Sequence, residues 1–183
     1  MNQRSECTNL TYPAFFAALT AVMSFISIPM PFSLVPITGQ TLAVMLTGSI
    51  LPVRQAYWSM LAYLLIGAVG LPVFSGFSGG IGVLLGPTGG YLIGYLPGVM
   101  LIALLKGQNN NLWSLALANS IGGIGIVYLL GITWLSLVTG IGFQKAIMTG
   151  ALPFIPGDII KVIAATVISA TVNKRLQKAR ILA

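Results

Sequence analysis

Apolar stretches of about helix length alternate with short polar or glycine- and proline-rich segments along almost the whole chain. Crossing a membrane as a helix takes about 20 mostly apolar residues, and six stretches approach or reach that length. They predict transmembrane helices at about 11–28, 38–51, 57–70, 88–105, 112–133 and 154–173. The first stretch has no small-residue cleavage site, which argues against a removable signal peptide. We therefore predict an all-α integral membrane protein in which residues 1–183 form a single transmembrane domain of six helices.

The connections between these stretches differ between the two predicted sides of the membrane. On one side they are long and mostly apolar, at 30–37, 72–87 and 135–152, whereas the connection at 108–111 on the other side is polar. Non-helical backbone at membrane depth must be buried in protein or line a water-filled cavity. The asymmetry predicts a pocket that opens to the outside beneath apolar loops.

Composition and charge agree with a membrane protein. Hydrophobic residues make up 56% of the chain and charged residues 6%, whereas soluble domains are about 25% charged. Seven basic residues fall on one predicted side, at Arg4, Arg54, Lys106, Lys174, Arg175, Lys178 and Arg180. Lys145 lies on the opposite side, so the positive-inside rule predicts that both termini are cytoplasmic. The net charge of +7 therefore indicates topology rather than nucleic-acid binding.

The residue inventory excludes most catalytic chemistry. The chain has no histidine, one cysteine and two acids, Glu6 and Asp158. Imidazole metal sites and nucleophile–histidine pairs are therefore excluded, and no G-x-x-x-x-G-K-[ST] phosphate loop occurs in the sequence. We predict a protein that is not an enzyme, with no catalytic residues, no metal site, no resident cofactor and no ATP hydrolysis of its own.

The strongest candidate site is an acid and a base inside the sixth predicted helix. Asp158 and Lys161 are three residues apart, which places them on one helix face. Charged residues within a span usually face the bundle interior and serve a function. Together they offer a carboxylate acceptor and an ammonium donor for a ligand that carries both donors and an acceptor. A pair that only fixes helix packing is the alternative.

Two further polar segments begin predicted helices. Thr38 and Gln40 belong to P-I-T-G-Q-T, and Thr88, Gly90 and Tyr91 belong to G-P-T-G-G-Y. The threonines suit helix caps equally well, and the glycines suit close helix packing. The amide of Gln40 needs a polar partner inside an apolar bundle, and this makes it the stronger candidate for a ligand contact.

The sequence resembles the BioY family, the biotin-binding S components of energy-coupling-factor vitamin transporters. The resemblance rests on V-P-I-T-G-Q-T (35–41), G-x-P-V-F (70–74), G-P-T-G-G-Y (86–91) and P-G-D-x-x-K (156–161), which occur in family order along nearly the whole chain. It implies a six-helix S component in a prokaryotic cell membrane, with both termini cytoplasmic. Biotin, the transported ligand, would be captured from outside beneath the first outer loop. A partner T subunit and two ATPase subunits would supply the energy.

The resemblance also assigns residues. In the family, the acid and the base of P-G-D-x-x-K contact the ligand, which implies the same role for Asp158 and Lys161. The family's small-residue face on the first helix meets the T subunit, which implies that role for Ala14 and Ala18. Relatives have an Asn in the loop before the glycines, whereas this chain has S-G-F-S at 75–78. We expect the remaining biotin contacts at Thr38, Gln40, Phe74, Gly80, Thr88, Gly90 and Tyr91.

Several alternatives stay open at this point. Asp158 suits a ureido N–H of biotin, whereas Lys161 suits either the ureido oxygen or the tail carboxylate. A stand-alone secondary carrier coupled to protons through Asp158 is a second possible function, and it predicts uptake by this chain alone. A non-transport membrane subunit with a structural ion pair is a third.

Overall fold

The computed structural model of the protein describes residues 3–107 and 111–178, with side chains from residue 10 onward. Most of the predicted polar turn and Arg180 lie outside the described residues, as do the side chains of Arg4, Glu6 and Cys7. Helices dominate the described part: α1 (Gln3–Ser24), α2 (Gln40–Ile50), α3 (Val53–Ala68), α4 (Ile81–Leu85), α5 (Gly89–Leu105), α6 (Leu112–Ala118), a π-helical segment (Asn119–Ile126), α7 (Val127–Thr139), α8 (Phe143–Gly150) and α9 (Ile155–Lys178). Two short antiparallel strands, β1 (Ser27–Ile28) and β2 (Ile37–Thr38), close the connection between α1 and α2.

Each of the six apolar stretches contains a helix, although the helix bounds differ from the predicted spans. α1 ends at Ser24 rather than near residue 28, because the chain enters β1 at Ser27. The fifth helix runs unbroken from Leu112 to Thr139 and ends where Gly140 adopts a left-handed conformation, with φ of 66°. The connection predicted at 135–152 is consequently mostly helical, since α8 occupies Phe143–Gly150.

Among the residues whose side chains the structure describes, two helices are long and apolar enough to cross a membrane by themselves. They are Leu112–Thr139, with 28 residues, and Ile155–Lys178, with 24 residues. α2 has 11 residues and rises only about 16 Å, which is less than a hydrocarbon core of about 30 Å.

Hydrogen bonds at the helix ends define the relative direction of α2, α5 and α9. The first turn of α2 meets the end of α1, where Gly39 N donates to Ile26 O at 2.9 Å. The last turn of α2 meets the last turn of α5, where Lys106 Nζ donates to Leu51 O at 2.6 Å. It also meets the second half of α9, where Asn173 Nδ2 donates to Ser49 O at 3.0 Å. α2, α5 and α9 therefore run parallel, and the first turns of these three helices lie at one end of the bundle.

We call the end of the bundle that holds the first turns of α2, α5 and α9 the site end. It also carries the loops at 25–39 and 69–80 and the segment 140–154. α2 lies at the centre of the bundle and is buried along its length except at Leu42. Glycines allow the backbones to approach: a Cβ on Gly122 would lie 2.6 Å from the carbonyl oxygen of Gly98. Small residues serve helix contacts within membranes in this way.

One glycine contact determines the position of a site-end loop and yields a stability prediction. The fully buried ring of Phe74 lies against Gly67 of α3, where a Cβ would overlap the ring. We expect Gly67→Ala to lower the free energy of unfolding by about 1–3 kcal/mol, the usual cost of overpacking. Thermal unfolding in detergent measures the effect. Gly82→Ala is the control, because a Cβ there meets no atom within 4 Å; equal unfolding temperatures for the two variants would contradict the prediction.

Candidate ligand-binding site

A cavity at the site end lies between α2, α5, α7 and α9, beneath the loop at 25–39. We call it the inner cavity. Its volume, taken as the space that the centre of a water molecule can occupy, is about 50 Å³. Its apolar wall consists of Val35, Pro36, Ile37, Leu92, Val127 and Phe154. Its polar wall consists of Thr38, Gln40, Thr41, Ser75, Thr88, Tyr91, Tyr95, Tyr128, Asp158 and Lys161.

The predicted acid and base form an ion pair in this cavity. Lys161 Nζ lies 2.8 Å from Asp158 Oδ1, and the Lys161 side chain is 17% exposed whereas that of Asp158 is 3% exposed. Lys161 Nζ also donates to Thr41 Oγ1 at 2.9 Å. An ammonium has three donors, so one N–H of Lys161 is left for a ligand beyond these two contacts. Lys161 is therefore the member of the pair that is more open to the cavity.

Asp158 is held from three helices. Its Oδ1 accepts from Lys161 on α9 and from Thr41 Oγ1 on α2, the latter at 3.4 Å. Its Oδ2 accepts a hydrogen bond from the hydroxyl of Tyr128 on α7. These three bonds fix the position of the Lys161 ammonium beside the carboxylate, and they leave an acceptor site for a ligand, because a carboxylate has about four such sites.

Gln40 lies in the cavity wall, but much of its amide is already bonded. Its Oε1 accepts from Thr38 Oγ1 at 3.0 Å and from Tyr95 OH at 3.4 Å. Its Nε2 donates to Tyr63 OH, which itself donates to Val73 O at 3.1 Å. Gln40 thereby connects the start of α2 with α3, α5 and the loop at 69–80, so it shapes the cavity more than it presents free polar groups.

The two threonines predicted as either caps or contacts are not side-chain caps. Gly39 and Thr88 occupy the N-cap positions of α2 and α5, and neither makes a side-chain capping bond. Thr38 and Thr88 both line the inner cavity. Tyr91 lines it as well, and its hydroxyl donates to Gly150 O at 2.7 Å, which leaves its ring for the cavity.

Three of the expected contacts lie elsewhere. Phe74 is fully buried against Tyr63 at a ring-centroid distance of 5.6 Å, so it does not line the cavity. Gly80 precedes α4 with φ of 94°, a conformation that favours glycine. Gly90 packs against Trp134, where a Cβ would collide. In this structure these three residues serve loop geometry and packing, and none of them lines the inner cavity.

Several residues of this site were not predicted from the sequence, and Tyr128 matters most among them. Tyr128 lies two residues after the end of the π-helical segment Asn119–Ile126, and π-helical insertions occur frequently at functional sites. The available signal was a phenol within an otherwise apolar stretch, because a buried phenol needs a hydrogen-bond partner. Tyr95, four residues after Tyr91 on the same face of α5, carried the same signal.

The geometry describes a site for a small neutral or amphiphilic molecule. Small-molecule sites are mostly apolar, with a few placed polar groups, and here the polar groups are one ion pair and several hydroxyls. Within residues 3–107 and 111–178, no group of His, Cys, Asp and Glu side chains is arranged to hold a metal ion. Fold and site together define a helical membrane protein with a ligand cavity at one end of its bundle.

Comparison with known proteins identifies the family. The BioY family model matches residues 1–178, so the chain belongs to the BioY family. It is 38% identical over 173 residues to the biotin transporter BioY of Rhizobium etli, covering 90% of this chain and 92% of the relative. It is 41% identical over 156 residues to the probable biotin transporter BioY of Pyrococcus horikoshii, covering 85% and 90%.

A solved structure supports the same assignment. The crystal structure of the S component for biotin from an ECF-type ABC transporter superposes with a TM-score of 0.87 at 32% identity, covering 95% of both chains. The relatives are transporters and not enzymes, which confirms that part of the sequence-based prediction. The chain is therefore a prokaryotic membrane protein of a transporter family.

Proposed function

We propose that the protein is the S component of an energy-coupling-factor transporter and that it binds biotin in the inner cavity. The observation that carries the proposal is the Asp158–Lys161 pair facing this cavity in the fold of a biotin S component. Lys161 donates to an acceptor of the ligand, and hydroxyls of the polar wall supply further donors and acceptors. The apolar wall packs against the fused rings. The proposed contacts among the predicted residues are Asp158, Lys161, Gln40, Thr38, Thr88 and Tyr91.

We propose further that six helices cross the membrane and that the site end faces outward. The exposed basic residues Arg54, Lys174, Arg175 and Lys178 lie at the opposite end of the bundle. Lys145, in α8, lies at the site end. This distribution agrees with the positive-inside rule when both termini are cytoplasmic.

The partner surface is proposed on α1. Ala14 and Ala18 are exposed there, whereas Ala17 is buried within the bundle. Small exposed residues four apart let another helix approach closely. The proposed partner is the T subunit, which would couple this chain to two ATPase subunits.

A titration of the purified chain in detergent tests the proposed function. Biotin is added in a calorimeter, beside lipoate, thiamine and riboflavin as matched vitamins. Saturable 1:1 binding of biotin alone is the expected result. A folded sample that binds none of the four would refute biotin capture by this chain.

A stand-alone carrier coupled to protons through Asp158 is the second candidate function. Thr41, Tyr128 and Lys161 donate to the Asp158 carboxylate, and these contacts favour a fixed acceptor in a ligand site over a proton relay. Uptake of biotin by this chain alone, abolished when the proton gradient is collapsed, would favour the carrier instead.

A substitution of Tyr128, which lies outside the family motifs, provides a further test of the site. We expect Tyr128→Phe to weaken biotin binding about tenfold, because it removes a hydrogen bond to a charged group and loosens the Asp158–Lys161 pair. Calorimetric titration measures the change. Tyr57→Phe, on α3 at the opposite end of the bundle, is the control; equal affinities for the two variants would show that the Tyr128 hydroxyl does not support the site.

A further inference from the structure

A second polar cluster lies inside the bundle, further from the site end than the inner cavity. Ser49 Oγ of α2 donates to Asn119 Oδ1 at 2.9 Å, and Asn119 Nδ2 donates to Thr166 Oγ1 of α9 at 3.5 Å. Ser49 and Asn119 are fully buried, and Thr166 is nearly so. We call these three residues the remote layer. They do not line the inner cavity, so their role lies in the links that such polar side chains make between helices.

The remote layer joins the same three helices as the ligand site. Asp158 of α9 accepts from Thr41 of α2 and from Tyr128 of the fifth helix, and we call these three residues the site layer. Ser49 follows Thr41 by eight residues, and Thr166 follows Asp158 by eight residues. Each interval corresponds to about 12 Å of helix rise. The two layers are therefore about two turns apart along both α2 and α9.

On the fifth helix the matching interval is nine residues, from Asn119 to Tyr128. An α-helix turns by about 100° per residue, so nine residues of α-helix would place these two side chains on opposite faces. The π-helical segment Asn119–Ile126 lies within the interval. Its hydrogen bonds join residue i to residue i+5, so each turn takes more residues, and nine residues complete about two turns. The π-helical segment therefore lets both side chains face the space between α2 and α9.

A glycine makes room for this arrangement between the two layers. Met45, midway between Thr41 and Ser49 on α2, is fully buried. A Cβ on Gly123, in the π-helical segment, would lie 2.7 Å from Met45 Cε. The π-helical segment consequently packs on the face of α2 that carries both layers.

We propose that Asn119 is a positioning residue of the ligand site. Its hydrogen bonds to Ser49 and Thr166 fix the rotation of the fifth helix, and the π-helical segment carries this rotation to Tyr128, whose hydroxyl then reaches Asp158. This role rests on the proposed function, biotin binding in the inner cavity. It adds a residue outside that cavity on which the affinity for biotin depends.

A double-mutant cycle tests the proposal by calorimetric titration with biotin. We expect Asn119→Leu, which removes both hydrogen bonds of the amide, to weaken binding about fivefold. The effects of residues more than about 10 Å apart usually add, but in a Tyr128→Phe background we expect Asn119→Leu to weaken binding less than about twofold. An equal loss in both backgrounds would overturn the proposal, as would an unchanged affinity in Asn119→Leu alone.

Thr47→Val is the matched control. Thr47 is fully buried on α2, and its hydroxyl donates to Ala43 O of the same helix at 2.7 Å. The variant loses a buried hydrogen bond without changing either layer, so we expect an unchanged affinity. A loss as large as that in Asn119→Leu would overturn the positioning role. Ser49→Ala, with an expected loss of about threefold, replaces Asn119→Leu in the cycle if the latter does not fold.

An infrared measurement without ligand separates this proposal from the proposed function. The C–O stretch of tyrosine depends on whether its hydroxyl donates a hydrogen bond. In protein with isotope-labelled tyrosine, the difference between the unaltered chain and Tyr128→Phe identifies the band of Tyr128. We expect Asn119→Leu to shift this band and Thr47→Val to leave it in place; an unshifted band in Asn119→Leu would overturn the positioning role. A shifted band in a protein that does not bind biotin would refute the proposed function alone.

Discussion

Replacement of Lys161 by methionine is expected to weaken biotin binding about 100-fold, because the ligand oxygen loses a charged hydrogen-bond donor in a buried site. Methionine keeps a similar length and apolar stem, so the cavity changes little in shape. Asp158 keeps its hydrogen bonds from Tyr128 and Thr41. Calorimetric titration with biotin measures the loss, and thermal unfolding without ligand verifies that the variant is folded.

Lys145→Met is the matched control for this experiment. Lys145 is an exposed lysine of α8 at the same end of the bundle, and it does not line the inner cavity. We expect its removal to leave the affinity for biotin unchanged. A Lys161→Met variant that bound biotin as tightly as the Lys145→Met variant would exclude Lys161 from the ligand site.

The helices could be predicted from the sequence because apolar stretches are long and chemically distinct. Their ends could not, since these depend on local backbone geometry. The strand at Ser27–Ile28 makes α1 end earlier than predicted. The fifth helix ends later than predicted, at Thr139, because the first left-handed residue after it is Gly140. α8 was not predicted, because no polar residues separate this short helix from the apolar connection in which it lies.

The ion pair could also be read from the sequence, because two opposite charges three residues apart stand out in an apolar helix. The partners of Asp158 could not. Thr41 and Tyr128 are 117 and 30 residues away along the chain, on other helices. Only the packing of α2, α7 and α9 brings the three side chains together, and no local pattern encodes that packing.

The motifs did not separate ligand contacts from packing residues. Phe74 and Tyr91 both lie in motifs of the family, but Phe74 fills the space left by Gly67 while Tyr91 faces the inner cavity. A motif marks residues whose type matters, and an aromatic ring serves loop packing as well as ligand packing. Burial and position, which come from the structure, decide between these roles.

Replacement of Asp158 by asparagine is expected to destabilise the protein strongly. It leaves the Lys161 ammonium, 17% exposed, without its carboxylate, and breaking a buried ion pair on one side costs about 3–5 kcal/mol. Thermal unfolding in detergent should show a much lower midpoint, and biotin binding should fall with it, because the ammonium is no longer held in place.

The double variant Asp158→Asn/Lys161→Met separates the ligand role from the structural one. It removes both charges, so we expect it to recover most of the lost stability, since replacing a buried pair by uncharged groups is often neutral. Biotin binding should stay lost, because no ammonium faces the inner cavity. A double variant that regained both stability and affinity would mean that the pair serves packing alone. The ligand would then be held by the hydroxyls of α2, α5 and α7.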